Sequence, residues 1–374
     1  MEILFTKFNF VLAFALAFLV TLLFTYLIRK VALQYQIVDR PNKKRKIHRN
    51  NMPLMGGLAI YLGFFISLSY FILIDRDFFS GYMLPKYILG LALGGLILII
   101  GGIIDDKYNL SPKKQFIFPI ISCLIVIVSG IGITFISNPF GNTINLDEIK
   151  IQLFTINNIP YFFTVFADIF TLIWLLGMIY TTKFLDGMDG LVSGISVIAS
   201  VILFFLSLST KVMQPETALL CIILAGASLG FLIFNFHPAK IFLGEGGSTL
   251  IGFMLGALAI ISGGKIATAL LIMGIPILDV IWVILRRIFK HKSPFEADRQ
   301  HLHFRLYDLG FSQRTAVIFL WSISALFGLF ALFIQGKDKI LAFAILLGLM
   351  VILAILLVIF FKKKQTRKSV KGSR

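Results

Sequence analysis

The feature that most constrains this chain is a series of eleven apolar stretches, nearly all long enough to cross a lipid bilayer. The hydrocarbon core of a bilayer is about 30 Å thick, and a helix needs roughly 20 apolar residues to span it. Of the 374 residues, 58% are hydrophobic and 14% are charged, and the mean hydropathy is +0.93. These values lie outside the range of soluble globular domains. We therefore predict an all-α polytopic membrane protein with about 10–11 transmembrane helices.

The eighth stretch is the shortest of the eleven. The first stretch is not followed by a small-residue cleavage site, so we expect it to remain in the protein as a membrane helix. In chain order, the predicted spans are 8–28, 56–74, 87–104, 116–137, 161–180, 191–210, 217–234, 249–262, 266–285, 316–335 and 340–361.

Most of the 35 Lys and Arg residues fall in loops on one side of these spans. Because basic loops stay in the cytoplasm, we predict an outside N-terminus and a cytoplasmic C-terminus. A single membrane domain at 1–361 would precede a basic cytoplasmic tail at 362–374. Strand-like alternation near 149–154 predicts a small external β-hairpin.

The net charge of +17 is explained by basic residues beside the spans, which attract anionic lipid headgroups. No nucleic acid partner is expected. Cys123 and Cys221 both lie in apolar runs, so neither a disulfide nor a thiolate metal site is supported. A homodimer is left open.

Carboxylates are rare in this chain, and several of them recur in short loops at the predicted cytoplasmic face, directly after apolar runs. Intramembrane and juxtamembrane carboxylates are costly, which suggests a functional site. Asp105 and Asp106 end one apolar run. Neighbouring residues on a helix point about 100° apart, so we expect the two to have different roles. Taken alone, the pair also suits two solvated aspartates at a helix end.

A second motif contains Lys183, Asp186 and Asp189, spaced by three so that a helix would place them on one face. Gly187, with two further glycines nearby, would let a ligand approach the backbone closely. The simpler alternative is a local ion pair between Lys183 and Asp186.

A third motif places Glu245 among glycines just before a predicted helix. A carboxylate oxygen and free N–H groups at a helix start suit a magnesium diphosphate. The alternative is a flexible turn capped by Ser248.

The last motif is a basic loop at 286–305 that contains His301 and His303. Histidines in such a loop can bind metal, donate protons or contact phosphate. A generic basic loop beside the membrane is the alternative.

These four loops resemble the polyprenyl-phosphate N-acetylhexosamine-1-phosphate transferase family. So do the segment 38–57 and the position of Asp279, three residues after Pro276. The resemblance runs from residue 38 to about 314, and the motifs occur in the family's order. Members start teichoic acid, O-antigen and enterobacterial common antigen synthesis, or make peptidoglycan lipid I. The resemblance implies a multi-pass protein of the cell (inner) membrane with a cytoplasmic active site.

The resemblance also implies a reaction. An oxygen of undecaprenyl phosphate attacks the β-phosphorus of a UDP-N-acetylhexosamine and releases UMP. Mg²⁺, or alternatively Mn²⁺, would be held by Glu245 and by Asp105 or Asp106, and the remaining aspartate would position or deprotonate the acceptor. The implied substrate-binding residues are Lys183, Asp186, Asp189, Asn235, Phe242, His301, His303, Arg299, His48 and Arg49.

The chain departs from the family pattern at five positions, which bear on sugar selectivity and metal geometry. Lys183 and Tyr180 stand where asparagines are usual, and Glu245 replaces an aspartate. Pro119 stands where a glutamine is frequent, and Gln115 where a basic residue is frequent.

Within the family, the pattern around His301 resembles that of the enzymes that transfer N-acetylglucosamine 1-phosphate (GlcNAc-1-phosphate) more than that of the lipid I enzyme, which is the alternative. Two rivals come from other classes. A secondary transporter would place its polar residues near the bilayer midplane. A non-catalytic membrane protein is the second rival.

Overall fold

The computed structural model describes residues 9–41, 50–136, 143–156, 159–210, 212–263, 266–289, 301–334, 338, 340–349, 351, 352 and 355. The predictions for His48, Arg49, Arg299 and the tail at 362–374 lie outside these residues.

Eight helices in the described ranges are long and apolar enough to cross a membrane, which confirms the predicted polytopic all-α protein. One of them is the short eighth stretch, which is extended by the glycine-rich residues before it. The helices are α1 Phe10–Gln34, α2 Gly56–Ile74, α3 Pro85–Tyr108, α6 Val165–Leu185, α7 Leu191–Leu208, α8 Pro215–Asn235, α9 Gly244–Ile261 and α13 Gln313–Phe333.

Two predicted spans differ from simple helices. The segment at 116–137 forms only α5, Ile117–Val128, after the single turn α4, Pro112–Gln115. Its predicted second half is wrong, because the chain turns at Gly130 with φ +90° and continues toward a strand.

The ninth span is broken. It consists of α10, Ile266–Ile272, and α11, Gly274–Phe289, which are bent by 78°. Pro276 lies in the first turn of α11, where the missing N–H of proline costs no helical hydrogen bond. The described part of the last span is α14, Ile340–Leu349. A short helix, α12 Leu302–Leu309, precedes α13.

The predicted hairpin is confirmed. Strands β5 Lys150–Ile156 and β6 Ile159–Thr164 pair antiparallel, with an irregularity between Gln152 and Phe154. A smaller antiparallel pair, β3 Phe135–Ile136 and β4 Ile144–Asn145, precedes it. At the other end of the chain, β1 Val38–Asp39 pairs with β2 Met52–Pro53.

The central helix is α9, which is buried along nearly its whole length against α2, α3, α6 and α7. Its first turn contacts two helices backbone to backbone. A Cβ added to Gly102 would overlap the backbone nitrogen of Gly246, and one added to Gly57 would overlap Gly247. Glycines at these crossings therefore bring the start of α9, with its glutamate, against the end of α3.

Candidate active site

Asp105 and Asp106 lie in the last turn of α3 and point to different partners. Oδ1 of Asp105 accepts the N–H of Leu110 at 2.7 Å, and both its carboxylate oxygens lie 3.0 Å from Nε2 of Gln115. Oδ1 of Asp106 accepts the backbone N–H of Glu245 at 3.1 Å. The two carboxylates therefore have different surroundings, as their spacing on the helix predicts.

The start of α9 is shaped around Asp106. Gly244 has φ +72°, a conformation that disfavours side chains, and a Cβ there would overlap Oδ2 of Asp106. The first N–H groups of a helix have no helical partner and attract negative charge. The glycine thus lets the carboxylate of Asp106 approach the free end of α9.

Lys183, in the last turn of α6, joins the opposite sides of this site. Its ammonium contacts Oε1 of Glu245 and donates a hydrogen bond to Oε1 of Gln115 at 3.0 Å. The local alternative, a pair with Asp186, is wrong, because the ion pair of Lys183 in the described part of the chain is with Glu245. A continuous polar chain runs from Asp105 through Gln115 and Lys183 to Glu245.

A small cleft that is partly open to solvent lies beside this polar chain. Asp105, Gln115 and Glu245 form its polar end, and apolar residues of α3 and α5 continue its wall. The lining residues are Leu98, Gly101, Gly102, Asp105, Gln115, Phe118, Pro119, Glu245 and Thr249. The cleft therefore joins a charged end to an apolar wall.

Asp186 follows the end of α6, and burial raises the pKa of its carboxyl to about 8. The negative charges of Glu245 and Asp189 contribute to the same shift. A partly buried carboxyl near other carboxylates holds its proton because the charged form is poorly solvated. Asp186 and Asp106 also lie within electrostatic reach of each other.

Asp189 lies in the same loop, between α6 and α7. Its Oδ2 accepts the backbone N–H of Ala239 at 3.1 Å and lies 2.7 Å from Nδ1 of His237. These contacts tie the loop after α6 to the loop after α8. The role of Asp189 toward a substrate stays a prediction.

Asn235 joins the same two loops from the end of α8. Its Oδ1 accepts from the N–H of Gly190 at 3.0 Å and from the hydroxyl of Ser193 at 2.8 Å. Its Nδ2 donates to the carbonyl of Ile241 at 3.0 Å. A buried amide with these three contacts positions the loops around the site. Phe242 follows, and its backbone carbonyl accepts the N–H of Gly56 at the start of α2.

His301 and His303 meet the site from the other side. The rings are parallel, with centroids 5.7 Å apart, and a Cβ on Gly187 would overlap Nε2 of His303. His303 is 0% exposed, and neither ring nitrogen has a hydrogen-bond partner among the described residues. Burial lowers the pKa of His303 to about 3, so the ring is neutral at ordinary pH.

Asp279 anchors this histidine pair. Its Oδ2 lies 2.9 Å from Nδ1 of His301, and its Oδ1 accepts the N–H of Leu302 at the start of α12. Sequence reasoning noted Asp279 in a motif without giving it a role. A carboxylate within an apolar helix was the available signal.

The structure thus brings Asp105, Asp106, Lys183 and Glu245 together, with Asp186 close by. Sequence reasoning missed the link made by Gln115, which had stood out only as a departure from a family pattern. Within the described ranges, no group of three or more histidine, cysteine or carboxylate side chains is arranged to hold a metal ion by itself. A divalent cation here would need ligands from substrate oxygens as well.

Comparison with known proteins assigns the family. The sequence model of glycosyl transferase family 4 matches residues 88–263. The probable undecaprenyl-phosphate N-acetylglucosaminyl 1-phosphate transferase of Bacillus subtilis (strain 168) is 31% identical over 354 residues, which cover 92% of this chain and 90% of that protein. The chain belongs to glycosyl transferase family 4.

Two other relatives have similar names. The decaprenyl-phosphate N-acetylglucosaminephosphotransferase of Mycolicibacterium smegmatis is 32% identical over 82% of this chain and 77% of its own length. The undecaprenyl-phosphate alpha-N-acetylglucosaminyl 1-phosphate transferase of Escherichia coli (strain K12) is 31% identical over 83% of this chain and 79% of its own length. The resemblance noted in the sequence is confirmed. The family 4 match at 88–263 contains Asp105, Asp106, Lys183 and Glu245.

Proposed function

We propose that this protein transfers GlcNAc-1-phosphate from UDP-N-acetylglucosamine to undecaprenyl phosphate. An oxygen of the acceptor phosphate bonds to the β-phosphorus of the donor, the bond to the bridging oxygen breaks, and UMP leaves. The polar chain from Asp105 to Glu245 beside a half-apolar cleft is the observation that carries this proposal. The names of the family 4 relatives support the same donor and acceptor classes.

The acceptor side of the site is the cleft. Asp105 lines the cleft together with Leu98 and Phe118. The polar part of this lining suits the phosphate of a lipid, and the apolar part suits its hydrocarbon chain. We assign Asp105 to the acceptor phosphate, which it positions or relieves of a proton. Gln115 holds the Asp105 carboxylate in place through its amide nitrogen.

The donor diphosphate belongs beside Asp106 and Glu245. Mg²⁺ commonly binds one or two carboxylates together with substrate phosphates, so these oxygen donors fit Mg²⁺ or Mn²⁺. When bound, such a cation neutralises charge on the diphosphate during transfer. Lys183 adds a compact positive charge at the same place, and the donors of its ammonium orient phosphate oxygens.

The nucleoside and sugar belong to the surrounding loops. Asp186 and Asp189 offer carboxyl groups, and Asn235 holds their loop in place through Gly190. His303 offers one ring donor and one acceptor from a neutral imidazole. With His301 stacked beside it, this pair faces the same loop at Gly187.

We further infer that the site faces the cytoplasm in the cell (inner) membrane and starts a cell-envelope glycan. The basic loops support this orientation. The hydrogen bonds of the site connect helix ends, whereas a transporter would place such groups near the midplane.

Purified full-length protein in detergent would be given undecaprenyl phosphate, Mg²⁺ and a panel of UDP-sugars. We expect release of UMP and formation of a lipid-linked product with UDP-N-acetylglucosamine. Folded Asp106→Asn protein is the negative control. Absence of UMP with every donor would contradict the proposal, and a preference for UDP-N-acetylmuramoyl-pentapeptide would favour the lipid I reaction.

A further inference from the structure

In the part of the chain that the structure describes, Lys183 and Glu245 form an ion pair that joins α6 to the start of α9. The two side chains are 16% and 22% exposed, so the pair is only partly solvated. An ion pair that is shielded from water is screened less by salt than a pair on the surface. The ammonium is therefore a strong local partner for the Glu245 carboxylate.

Gln115 holds the ammonium in this position. Its Nε2 donates to Asp105 and lies 3.2 Å from the carbonyl of Leu110, and these contacts set the orientation of the amide. Oε1 of Gln115 consequently points to Lys183 and accepts a hydrogen bond of 3.0 Å from its ammonium. Because one partner comes from the α4 turn and the other from α9, the ammonium is held from two sides.

An ammonium and a divalent cation are rivals for the same carboxylate oxygen, since each gains from the same negative charge. We propose that Lys183 is an internal counter-ion that competes with Mg²⁺ or Mn²⁺ for Glu245. Lys183 thereby keeps the metal affinity of the protein low when the metal is offered without donor. This inference rests on the proposed function in one respect, the assignment of Glu245 as a metal ligand.

The donor changes this balance. Its diphosphate brings negative charge to which the ammonium can turn, and Glu245 then becomes free for the metal. Metal and donor binding are thereby coupled, and such coupling acts equally in both directions. Lys183 is the residue that carries it.

The test is a titration of purified full-length protein in detergent with Mn²⁺ alone, with free Mn²⁺ measured by electron paramagnetic resonance. Lys183→Met removes the charge and keeps an unbranched chain. We expect it to lower the Kd for Mn²⁺ by at least roughly tenfold, comparable with the effect of a neighbouring opposite charge on the proton affinity of a carboxylate. Lys183→Arg keeps the charge and should leave the Kd near that of the wild type.

Lys150→Met is the matched control, because Lys150, the first residue of the hairpin, forms an exposed ion pair with Asp147. It should leave Mn²⁺ binding unchanged. The double variant Lys183→Met with Glu245→Gln should lose the gain in affinity. If the gain persists in the double variant, the cation binds elsewhere and the inference is overturned.

An unchanged or higher Kd in folded Lys183→Met protein also overturns the inference. Lys183→Asn serves as the second neutral variant if Lys183→Met does not fold. Gln115→Met, which removes one anchor of the ammonium, should lower the Kd by a smaller factor. UMP release is measured on the same wild-type preparation, so failure of the transferase proposal is seen separately from failure of the metal competition.

Discussion

The backbone N–H of Glu245 donates a hydrogen bond to the Asp106 carboxylate, and this contact joins the first turn of α9 to the last turn of α3. Asp105, one residue earlier, is held instead by Gln115. One short segment of α3 therefore supplies two carboxylates to two different parts of the site.

The different surroundings of these aspartates predict different defects. Asp105→Asn and Asp106→Asn should each lower kcat by roughly 100-fold or more. In addition, Asp105→Asn should raise the KM for undecaprenyl phosphate, and Asp106→Asn should change the dependence of the rate on Mg²⁺. Steady-state kinetics with each substrate varied would check this, with size-exclusion profiles as the folding control. Near-normal turnover in either folded variant would remove that residue from the catalytic set.

Changes at Glu245 test its assignment as a metal ligand. Glu245→Gln keeps the size of the side chain and loses the charge, so Mg²⁺-dependent activity should be lost. Glu245→Asp keeps the charge on a shorter side chain and should retain part of the activity. An activity curve against Mg²⁺ concentration for each variant distinguishes them. The same Mg²⁺ dependence in Glu245→Gln and wild-type protein would show the assignment to be wrong.

Lys183→Asn replaces the ammonium with an amide that still donates hydrogen bonds. We expect a folded, partly active protein whose KM for UDP-N-acetylglucosamine is raised several-fold, since the positive charge beside the diphosphate is lost. Initial rates across donor concentrations measure this. Lys150→Asn on the hairpin is the matched control. A folded but inactive Lys183→Asn protein would show that catalysis in this chain depends on the lysine itself.

The raised pKa of Asp186 predicts that the stability of the folded protein depends on pH. Its pKa lies at about 8 in the folded protein and near 3.8 in an unfolded chain, so between these values the folded state binds more protons. The free energy of unfolding must therefore fall as pH rises from about 4 to about 8. Asp186→Asn should raise the thermal midpoint by a few degrees at pH 8 and change it little at pH 4.

Thermal unfolding in detergent at several pH values measures this effect. Asp147→Asn, three residues before the hairpin begins, changes a solvent-exposed carboxylate and is the control; it should show no comparable trend. The difference in thermal midpoint between Asp186→Asn and wild type should grow from pH 4 to pH 8. If it does not, the assigned desolvation of this carboxyl is wrong.

Close packing of glycines predicts a structural defect. Gly102→Ala would place a methyl group against the backbone of Gly246 in α9. A helix backbone cannot move aside as the end of a flexible side chain can. We expect a lower thermal midpoint and loss of transfer together. Gly177→Ala, whose added Cβ would meet nothing within 4 Å, is the matched control on α6.

Most of the helices could be predicted from sequence because a membrane span depends on the composition of one continuous segment. The segment at 116–137 shows the limit, since its apolar composition continues past Gly130 although the helix ends at Val128. Composition does not record a backbone turn. The carboxylates of the site were also visible from sequence, because charge beside an apolar run is costly wherever the chain folds.

The partners of those charges were decided only by the tertiary structure. Lys183 lies three residues from Asp186, yet its ammonium pairs with Glu245 and with Gln115, 68 residues away in the chain. Spacing along a helix identifies which residues share a face, but it does not say which other helix that face meets. The sequence by itself determined the spans and the kinds of polar group at their ends. The glycine contacts between α3 and α9 decided which of these groups touch, because backbone proximity of that kind arises only when the helices pack.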